Sequence, residues 1–383
     1  MNNFKPKIIR VSTIPTSLKT FLAGSFEALM SKYELVLVSS PDKELDELHE
    51  EYGMKTIGVS MERRMSPMKD LQSLWNLIRV FRKERPYIVH SMTPKAGLLC
   101  MLAAWITRVP RRVHTFTGLV WPTATGLSRR ILMTTDRLTC ACATHIIPEG
   151  RGVMDDLQRH ITHKSMRVLG YGNVRGVDME YWSRENVDAG QVEALRDDSK
   201  FTFIFVGRIV RDKGINELID AFMRVHENHK VRLLLVGRFE DTLDPISDES
   251  RRIINECGDI VYAGTQYGKD LVAYYAAADC FVFPSYREGF PNTVLEAGAM
   301  GLPSIVTDIN GSREIVESGK NGFVIPSKDV GALANAMAQM AEDVDTRQQM
   351  ARNARPMIAS RFEQGFVRKC QMDFYEEIID LKD

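Results

Sequence analysis

Two glutamates, Glu288 and Glu296, lie on either side of a Gly-Phe-Pro-Asn segment at 289–292 that follows a short apolar run. A carboxylate accepts hydrogen bonds from two neighbouring hydroxyl groups, such as those of a ribose or of another sugar. Because a turn separates the glutamates, they suit two different contacts on one elongated ligand. The alternative is a capping glutamate and a surface glutamate, which the apolar neighbours Val294 and Leu295 of Glu296 disfavour.

The segment at 289–292 also predicts a tight turn that opens a helix. The first backbone N–H groups of a helix have no acceptor within it, so they form a ready-made binding site for an anion. The free amides of Phe290, Asn292, Thr293 and Val294 are therefore expected to face a ligand.

A second candidate loop follows the apolar run at 201–206 and carries Gly207, Arg208, Lys213 and Gly214. Arginine offers a two-pronged donor to phosphate oxygens, and lysine adds a point charge. The P-loop spacing G-x-x-x-x-G-K-[ST] is absent, so this is a different kind of phosphate loop. A solvated loop before a helix is the other interpretation.

The pattern of the whole chain indicates how these loops are positioned. Runs rich in β-branched residues alternate with longer segments of helical periodicity, which is typical of parallel sheets covered by helices on both faces. In the first half the predicted strands are 7–12, 34–39, 54–59, 87–91, 111–116, 144–148 and 165–170, and the predicted helices are 18–31, 42–52, 67–84, 94–107, 127–138 and 149–160. In the second half the predicted strands are 201–208, 231–237, 260–264, 280–284, 304–308 and 322–325, and only helices follow residue 326.

The predicted fold is therefore α/β, with two doubly wound, Rossmann-like domains facing across a cleft and ligands at the carboxyl ends of the strands. A polar segment at 170–200 interrupts the pattern, so the domains are predicted at 1–175 and 176–363. The last segment, 364–383, reads as an amphipathic helix. Its apolar stripe consists of Phe366, Cys370, Phe374 and Ile378.

The charge of the chain is zero overall but strongly polarised. Fifty basic and fifty acidic residues balance across 383 residues, yet residues 1–170 carry a net charge of +10 and residues 171–383 carry −10. Residues 91–151, with Trp105 and Trp121, carry +6. A basic, tryptophan-bearing surface suits an anionic membrane leaflet, whereas the alternative is a buried helix with solvated arginines.

Several classes of protein are disfavoured by composition. The six cysteines have no zinc-site spacing and predict free thiols, and no apolar run approaches the ~20 residues of a membrane span. The N-terminus lacks the apolar core of a signal peptide, which predicts a cytoplasmic protein. Asp343 and Asp345 form an Asp-x-Asp in a helical segment, which indicates a surface position and no metal site.

The motifs together resemble glycosyltransferase family 4, the retaining nucleotide-sugar transferases of GT-B fold. Glu288 to Glu296 matches the family's E-x7-E motif, and 207–214 matches its G-R-x4-K-G loop. Residues 308–317 and 321–326 are similar to its downstream segments, and Gly176-Val177-Asp178 is similar to its interdomain linker.

The resemblance implies a role for each matching residue. Gly207, Arg208 and Lys213 would hold the donor diphosphate, and the cations would stabilise it as a leaving group without a metal ion. Glu288 would bind the transferred sugar and Glu296 the ribose, so Arg208, Lys213 and Glu288 are the predicted catalytic residues. The remaining donor-binding residues would be Gly289, Phe290, Pro291, Asn292, Thr293 and, near the base, Gln266.

In the first domain the resemblance implies an acceptor or sugar pocket, with Thr16, Lys95, His114 and Thr117 as candidates, of which Thr117 would face the donor sugar. Lys95 and its helix N-terminus either take an acceptor phosphate or form a plain capped helix, and His114 is either a pocket residue or structural. The first domain looks most like the branch acting on polyprenyl-diphosphate-linked saccharides in capsule, O-antigen or glycan-precursor assembly. The implied enzyme is a hexosyltransferase at the inner membrane face, with a UDP-sugar as the expected donor, no cofactor, and the C-terminal helix returning to the first domain.

Other functions occur on the same fold or share parts of this pattern. A GT-B epimerase or phosphorylase, or a catalytically silent nucleotide-sugar-binding protein, would share the fold. The E-x7-E and G-R-x4-K-G motifs and the intact cations and glutamates favour the transferase. A dehydrogenase lacks support because residues 12–18 contain no glycine, and no nucleic-acid recognition motif is present.

Overall fold

The computed structural model describes residues 5–62, 66–242 and 244–380. The chain divides into two compact units. Unit 1 comprises Met1–Gly176 with Gln364–Asp383, and unit 2 comprises Val177–Glu363.

Unit 1 is built on a parallel sheet of six strands in the order β3-β2-β1-β4-β5-β6. The strands are β1 (Lys7–Val11), β2 (Glu34–Ser39), β3 (Lys55–Gly58), β4 (Ile88–Ser91), β5 (Arg111–Phe116) and β6 (His145–Pro148). The helices are α1 (Pro15–Leu22), α2 (Phe26–Lys32), α3 (Lys43–Tyr52), α4 (Pro67–Glu84), α5 (Pro94–Ile106), α6 (Gly126–Cys142) and α7 (Arg151–His160). The central strands are buried on both faces, as expected for a parallel sheet between helical layers.

Unit 2 repeats this architecture with the strand order β12-β11-β10-β7-β8-β9. The strands are β7 (Phe201–Val206), β8 (Val231–Val236), β9 (Ile260–Gly264), β10 (Cys280–Phe283), β11 (Ser304–Thr307) and β12 (Gly322–Ile325). The helices are α8 (Ala189–Leu195), α9 (Ile215–His226), α10 (Asp248–Glu256), α11 (Gly268–Ala276), α12 (Asn292–Ala299), α13 (Ser312–Ile315), α14 (Val330–Glu342) and α15 (Val344–Phe362). The predicted fold class, with two parallel Rossmann-like sheets, is therefore confirmed.

The last helix, α16 (Gln364–Asp380), belongs to the core of unit 1. Phe374, Tyr375 and Ile378 are buried there among residues of β1 and β2. This confirms the predicted return of the C-terminal helix to the first domain.

Two predicted elements of the first half are wrong. The helix predicted at 18–31 is two helices, α1 and α2, because Gly24 between them has a φ of 68°. The segment 165–170 is not a strand, since its one backbone hydrogen bond to the sheet joins Arg167 N to Ile146 O at 3.2 Å. Gly170, the last residue of this segment, has a φ of 56° and turns the chain away.

Within the described residues, no helix is long and apolar enough to cross a membrane. Asp343 caps the N-terminus of α15 by accepting a hydrogen bond from the Thr346 amide at 3.0 Å. The Asp-x-Asp segment thus lies at a junction between two helices, α14 and α15.

Candidate functional site

The candidate site lies at the carboxyl edge of the sheet of unit 2, where β7 and β10 are neighbours. Strand order reverses at β7, because β8 continues the sheet on one side and β10 on the other. Open α/β sheets bind ligands in the crevice at such a point. The loop after β7 (207–214) and the loop after β10 (284–291) both begin there.

Close backbone approach fastens these two loops together. Gly214 has a φ of 71°, and a Cβ atom on it would lie 2.1 Å from the Pro284 carbonyl oxygen. The Tyr286 amide donates to the Asp212 carbonyl at 2.9 Å, and Arg287 Nε donates to the Asp212 carboxylate at 2.8 Å. The position of Lys213 is thereby tied to the loop that carries Glu288.

Lys213 and Glu288 are brought into direct contact, although 75 residues separate them. Lys213 Nζ forms an ion pair with Glu288 Oε1, and Ser285 Oγ donates to the same oxygen at 2.7 Å. Both side chains remain about one-sixth exposed, and Lys213 Nζ lies 5.0 Å from the centre of the Phe283 ring. A partly desolvated cation and a carboxylate therefore lie side by side at this edge of the sheet.

Arg208 lies on the same loop but points to a different partner. Its Nη1 atom forms an ion pair with Glu240, and half of the side chain remains exposed. Gly237 approaches the loop so closely that a Cβ atom on it would lie 1.7 Å from the Gly207 carbonyl oxygen. Glycine is therefore needed at Gly237, at the end of β8.

The predicted helix N-terminus is present and begins at Asn292. Phe290 is buried against Phe362, with ring centres 5.3 Å apart, and Gly311 packs against the Gly289 carbonyl. The prediction of a free amide is wrong for Val294, which donates to the Pro291 carbonyl at 3.2 Å. This bond tightens the first turn of α12 and removes the Val294 amide from the predicted anion site.

Glu296 lies one turn into α12 and is only 7% exposed. Burial, followed by the negative charge of Glu296, raises the pKa of Tyr181. Glu296 is therefore a buried carboxylate and not a solvated surface group. Gln266, after β9, is half-buried, and its side-chain amide donates to the Ala263 carbonyl at 2.6 Å.

The sequence did not reveal the carboxylates that pair with arginines at the carboxyl edge of the sheet, namely Asp212, Glu240 and Asp244. Asp212 bonds the loop after β10, and Asp244 accepts a hydrogen bond from the Asp212 amide at 2.6 Å and pairs with Arg211 at 3.2 Å. The placement of Asp212 between Arg208 and Lys213 was visible in the sequence. The pairing of Glu240 and Asp244 depends on loop geometry that carries no local sequence signal.

Of the four candidates in unit 1, three lie at the carboxyl edge of its sheet. Thr16 donates to Glu44 Oε2 from the first turn of α1, and Thr117 donates to the Met92 carbonyl at 3.1 Å. Lys95 pairs with Asp70 at 2.7 Å in the first turn of α5. The roles of these three residues in a binding pocket remain predictions.

The fourth candidate, His114, lies in the core of unit 1. It is 2% exposed, and its Nδ1 atom lies 2.8 Å from Ser91 Oγ. Helix α5 passes so close that a Cβ atom on Gly97 would lie 2.3 Å from His114 Cε1. This position favours the structural interpretation of His114 that the sequence left open.

The buried histidines predict how stability depends on pH. Burial lowers the pKa of His114 to about 3 and also lowers that of His90. Both groups titrate near 6.5 when unfolded, so the unfolded state binds more protons below that pH, and stability falls as the pH is lowered through 6.5. Asp136 acts in the opposite direction, because burial raises its pKa to about 7 and the folded state then holds its proton.

We therefore expect His114→Asn to lose stability less steeply than the wild type between pH 6.5 and 5. The difference in slope should approach ~1.4 kcal/mol per pH unit. Urea denaturation at pH 7.5, 6.5, 5.8 and 5.0 measures it. Parallel profiles for the two proteins would show that His114 accepts its proton in the folded state.

A second prediction concerns the contact between the two loops. Gly214→Ala should lower the free energy of unfolding by about 2 kcal/mol, because a left-handed residue is strained and its Cβ atom meets the Pro284 carbonyl. Gly268→Ala is the matched control, since Gly268 has a φ of 60° and open space around its Cβ position. The control should cost only about 1 kcal/mol. Equal losses in urea denaturation would contradict the close approach.

Comparisons with known proteins decide the family. A family model described as Glycosyl transferases group 1 matches residues 189–357, and one described as Glycosyl transferase 4-like domain matches residues 22–172. The capsular polysaccharide biosynthesis glycosyltransferase CapM of Staphylococcus aureus is 31% identical over 369 residues, which cover 94% of each chain. The chain belongs to the group 1 glycosyltransferases. Membership favours the transferase over the epimerase, phosphorylase and silent-binder alternatives.

Two further similarities concern a curated relative and a solved structure. The UDP-Gal:alpha-D-GlcNAc-diphosphoundecaprenol alpha-1,3-galactosyltransferase of Escherichia coli is 28% identical over 308 residues, which cover 78% of each chain. The structure of a glycosyltransferase from Rickettsia africae ESF-5 matches with a TM-score of 0.79 at 17% identity, over 99% of this chain and 100% of that one. At that identity the structural likeness supports the GT-B fold alone.

Proposed function

We propose that this glycosyltransferase moves a sugar from a UDP-sugar to a saccharide carried on a polyprenyl diphosphate, with retention of configuration and without a metal ion. The observation that carries the proposal is the contact of Lys213 with Glu288 beside the N-terminus of α12. It combines a cation for phosphate, a carboxylate for hydroxyl groups and helix amides within one site.

The donor would lie along the carboxyl edge of the sheet of unit 2. Lys213 and Arg208 bind the diphosphate, and the N-terminus of α12 adds its amides and the positive end of its dipole. Glu288 accepts hydrogen bonds from the transferred sugar, and Glu296 accepts them from the ribose diol. Gln266 follows β9, at the end of the same edge, where the base would be held.

In the transfer step, the bond from the anomeric carbon to the diphosphate oxygen breaks as the acceptor hydroxyl forms a bond to that carbon on the same face. The proton of the hydroxyl passes to the departing phosphate oxygen, so the step balances without a protein base. Negative charge grows on the diphosphate as it leaves, and fixed cations stabilise that charge more in the transition state than in the ground state. The name of the E. coli relative, a UDP-galactose-dependent enzyme that forms an alpha linkage, supports retention, since UDP-galactose is itself alpha-linked.

The proposed acceptor follows from the relatives and from unit 1. The E. coli relative acts on a saccharide joined to diphosphoundecaprenol. The candidates Thr16, Lys95 and Thr117 lie at one edge of the sheet of unit 1, where the acceptor would bind. An acceptor anchored in lipid would bring the enzyme to the cytoplasmic face of a membrane.

A thermal-shift screen with UDP, GDP, ADP and their common sugars tests the donor. A ligand at ~100 times its dissociation constant stabilises the fold by ~2.7 kcal/mol, so UDP and UDP-sugars should raise the melting temperature while GDP and ADP do not. Stabilisation by another nucleotide alone would contradict the proposed donor.

Transfer to a short-chain polyprenyl-diphosphate saccharide, measured with and without EDTA, tests the reaction. We expect equal turnover under both conditions and an alpha-linked product by NMR. Activity that EDTA abolishes and Mg²⁺ restores would reject metal independence, and a beta-linked product would reject retention.

A further inference from the structure

Helices α4, α5 and α6 form one layer against the sheet of unit 1, with α5 packed between the other two. Most of α5 is buried, whereas α4 and α6 each keep an outer face toward solvent. Because these helices follow parallel strands, the first turns of all three lie at the carboxyl edge of the sheet. That edge also carries Thr16, Lys95 and Thr117.

Large apolar side chains are exposed on the N-terminal halves of both outer helices. On α4, Met68, Leu71 and Trp75 are 82%, 65% and 52% exposed at a spacing that places them on one stripe. On α6, Leu127 is 73% exposed and Ile131 is 38% exposed, again one turn apart. Every residue from 125 to 131 is exposed, so the start of α6 stands clear of the unit on all sides.

The charge on this layer is positive, and two of its cations, Lys69 and Lys95, pair with carboxylates. Helices α4, α5 and α6 contain eight lysines and arginines and three carboxylates. Asp70 is paired with Lys95, and Glu84 is buried in ion pairs with Lys7 and Lys55. The third carboxylate, Asp136, is half-buried on α6.

The cations stand beside the exposed apolar residues. Arg79 covers the Trp75 ring at 3.3 Å, and Arg129 and Arg130 lie between Leu127 and Ile131. Within the described part of the chain, none of these three arginines pairs with a carboxylate. Arginine and tryptophan side chains with an apolar body and a charged or polar end suit the interface between lipid headgroups and acyl chains.

We propose that the outer faces of α4 and α6 form a docking surface for an anionic phospholipid leaflet, with Leu127, Ile131, Leu71 and Trp75 entering the interface and Arg129 and Arg130 at the headgroups. A membrane fits better than a protein partner, because the exposed apolar residues lie on two separate helices and have cations beside them. The surface deepens the proposed function and rests on it for the lipid-anchored acceptor. Docking at the first turns would place the acceptor edge of unit 1 next to the leaflet.

Co-sedimentation of the full chain with vesicles of phosphatidylglycerol and phosphatidylcholine, against vesicles of phosphatidylcholine alone, tests the surface. We expect partitioning onto the anionic vesicles that weakens with salt. Arg129→Gln/Arg130→Gln should reduce it roughly 30-fold, since each cation near an anionic surface contributes about fivefold. Leu127→Ser/Ile131→Ser should reduce it at least as strongly through lost apolar burial.

The matched control is Val344→Ser/Arg352→Gln, which removes an exposed apolar residue and a cation from α15 in unit 2. Its vesicle partitioning should equal that of the wild type. No wild-type partitioning at low salt, or equal losses in the control and the α6 variants, would overturn the docking surface. Self-association of the wild type that the α6 variants abolish, without vesicle binding, would assign the face to a second copy.

Turnover on a short-chain acceptor without vesicles separates this inference from the proposed function. The α6 variants should retain wild-type turnover in that assay, because neither pair of residues belongs to the candidate site. Vesicle binding without any transfer would leave the docking surface standing and reject the proposed function. Transfer without vesicle binding would support the proposed function and reject the docking surface.

Discussion

Replacing Lys213 with methionine should lower turnover by about 10³-fold while leaving the fold intact. The side chain is held beside Glu288 and Ser285 by the contact of two loops, so its ammonium group occupies a fixed position in a partly desolvated site. Under the proposed function, that charge stabilises the departing diphosphate. Methionine keeps the length and packing of the side chain and removes only the charge.

The loss should appear mainly in kcat, because the ammonium interacts most strongly with the charge that develops as the bond breaks. Arg208→Met should show a loss of ~10²-fold, since Arg208 is more exposed and also pairs with Glu240. Initial rates at saturating acceptor, with the donor varied, give both constants.

Arg211→Met is the matched control for the loss of a cation from this loop. Arg211 is two residues from Lys213 and two-thirds exposed, and it pairs with Asp244 at 3.2 Å. Its turnover should stay within about threefold of the wild type, as expected for a surface ion pair. Equal losses for Arg211→Met and Lys213→Met would show a general effect of loop charge and no specific contact with the leaving group.

The sequence predicts that the loops carrying Lys213 and Glu288 lie at one edge of a parallel sheet, whereas their direct contact depends on the strand order that the structure gives. Lys213 and Glu288 each follow an apolar run that ends in a small residue, Gly207 or Ser285. Once both runs are placed as neighbouring parallel strands, their following loops must meet at one edge. No side-chain detail is needed for that conclusion.

The remaining contacts of the site could not be predicted, because they depend on the paths of the loops. Arg208 pairs with Glu240, which follows a different strand, and Asp212 accepts bonds from both the backbone and side chains of the loop after β10. The Val294 amide is bonded within its turn for the same local reason. Each of these depends on a few dihedral angles that no periodicity encodes.

The errors in the fold also have long-range causes. Residues 18–31 have helical periodicity, but Gly24 breaks the helix where the Gln364 side chain packs against it from the other end of the chain. Residues 165–170 contain the apolar Met166, Val168 and Leu169, yet within the described chain only one backbone hydrogen bond joins the segment to β6. A strand needs a partner as well as a propensity.

The second large effect is expected at a buried polar network of unit 1. Arg10 on β1 is fully buried, and its Nη1 atom donates to the Tyr375 hydroxyl on α16 at 2.6 Å. The hydroxyl therefore donates its own proton to His90 Nδ1, also at 2.6 Å, and His90 Nε2 donates to Thr115 Oγ1 at 2.7 Å. Burial lowers the pKa of His90 well below its usual value, so the ring is neutral in this chain of bonds.

Tyr375→Phe should lower the free energy of unfolding by about 3 kcal/mol, because it leaves a buried guanidinium group and His90 without their shared partner. Three of the four tryptophans, Trp75, Trp105 and Trp121, lie in unit 1, so urea denaturation followed by tryptophan fluorescence reports mainly on that unit.

Tyr33→Phe is the matched control for Tyr375→Phe. Tyr33 is also buried, and its ring centre lies 5.9 Å from that of Tyr375, but its hydroxyl has no hydrogen-bond partner among the described residues. Removing that hydroxyl should leave stability unchanged or raise it slightly, since no bond is lost. Equal destabilisation by the two substitutions would show that loss of a hydroxyl, and no specific bond to Arg10, causes the effect.

A double-mutant cycle measures how much of the lost unfolding free energy comes from the interaction of Arg10 with Tyr375. If the cost of Tyr375→Phe comes from the unpartnered charge, the substitution should cost far less in an Arg10→Met background, where no guanidinium remains to be satisfied. The coupling between the two positions should then be at least about 1.5 kcal/mol. Strict additivity would mean that Tyr375 holds α16 to the sheet through its ring alone, and that the buried arginine is satisfied by Met92 Sδ, which accepts from its Nη2 atom at 2.9 Å.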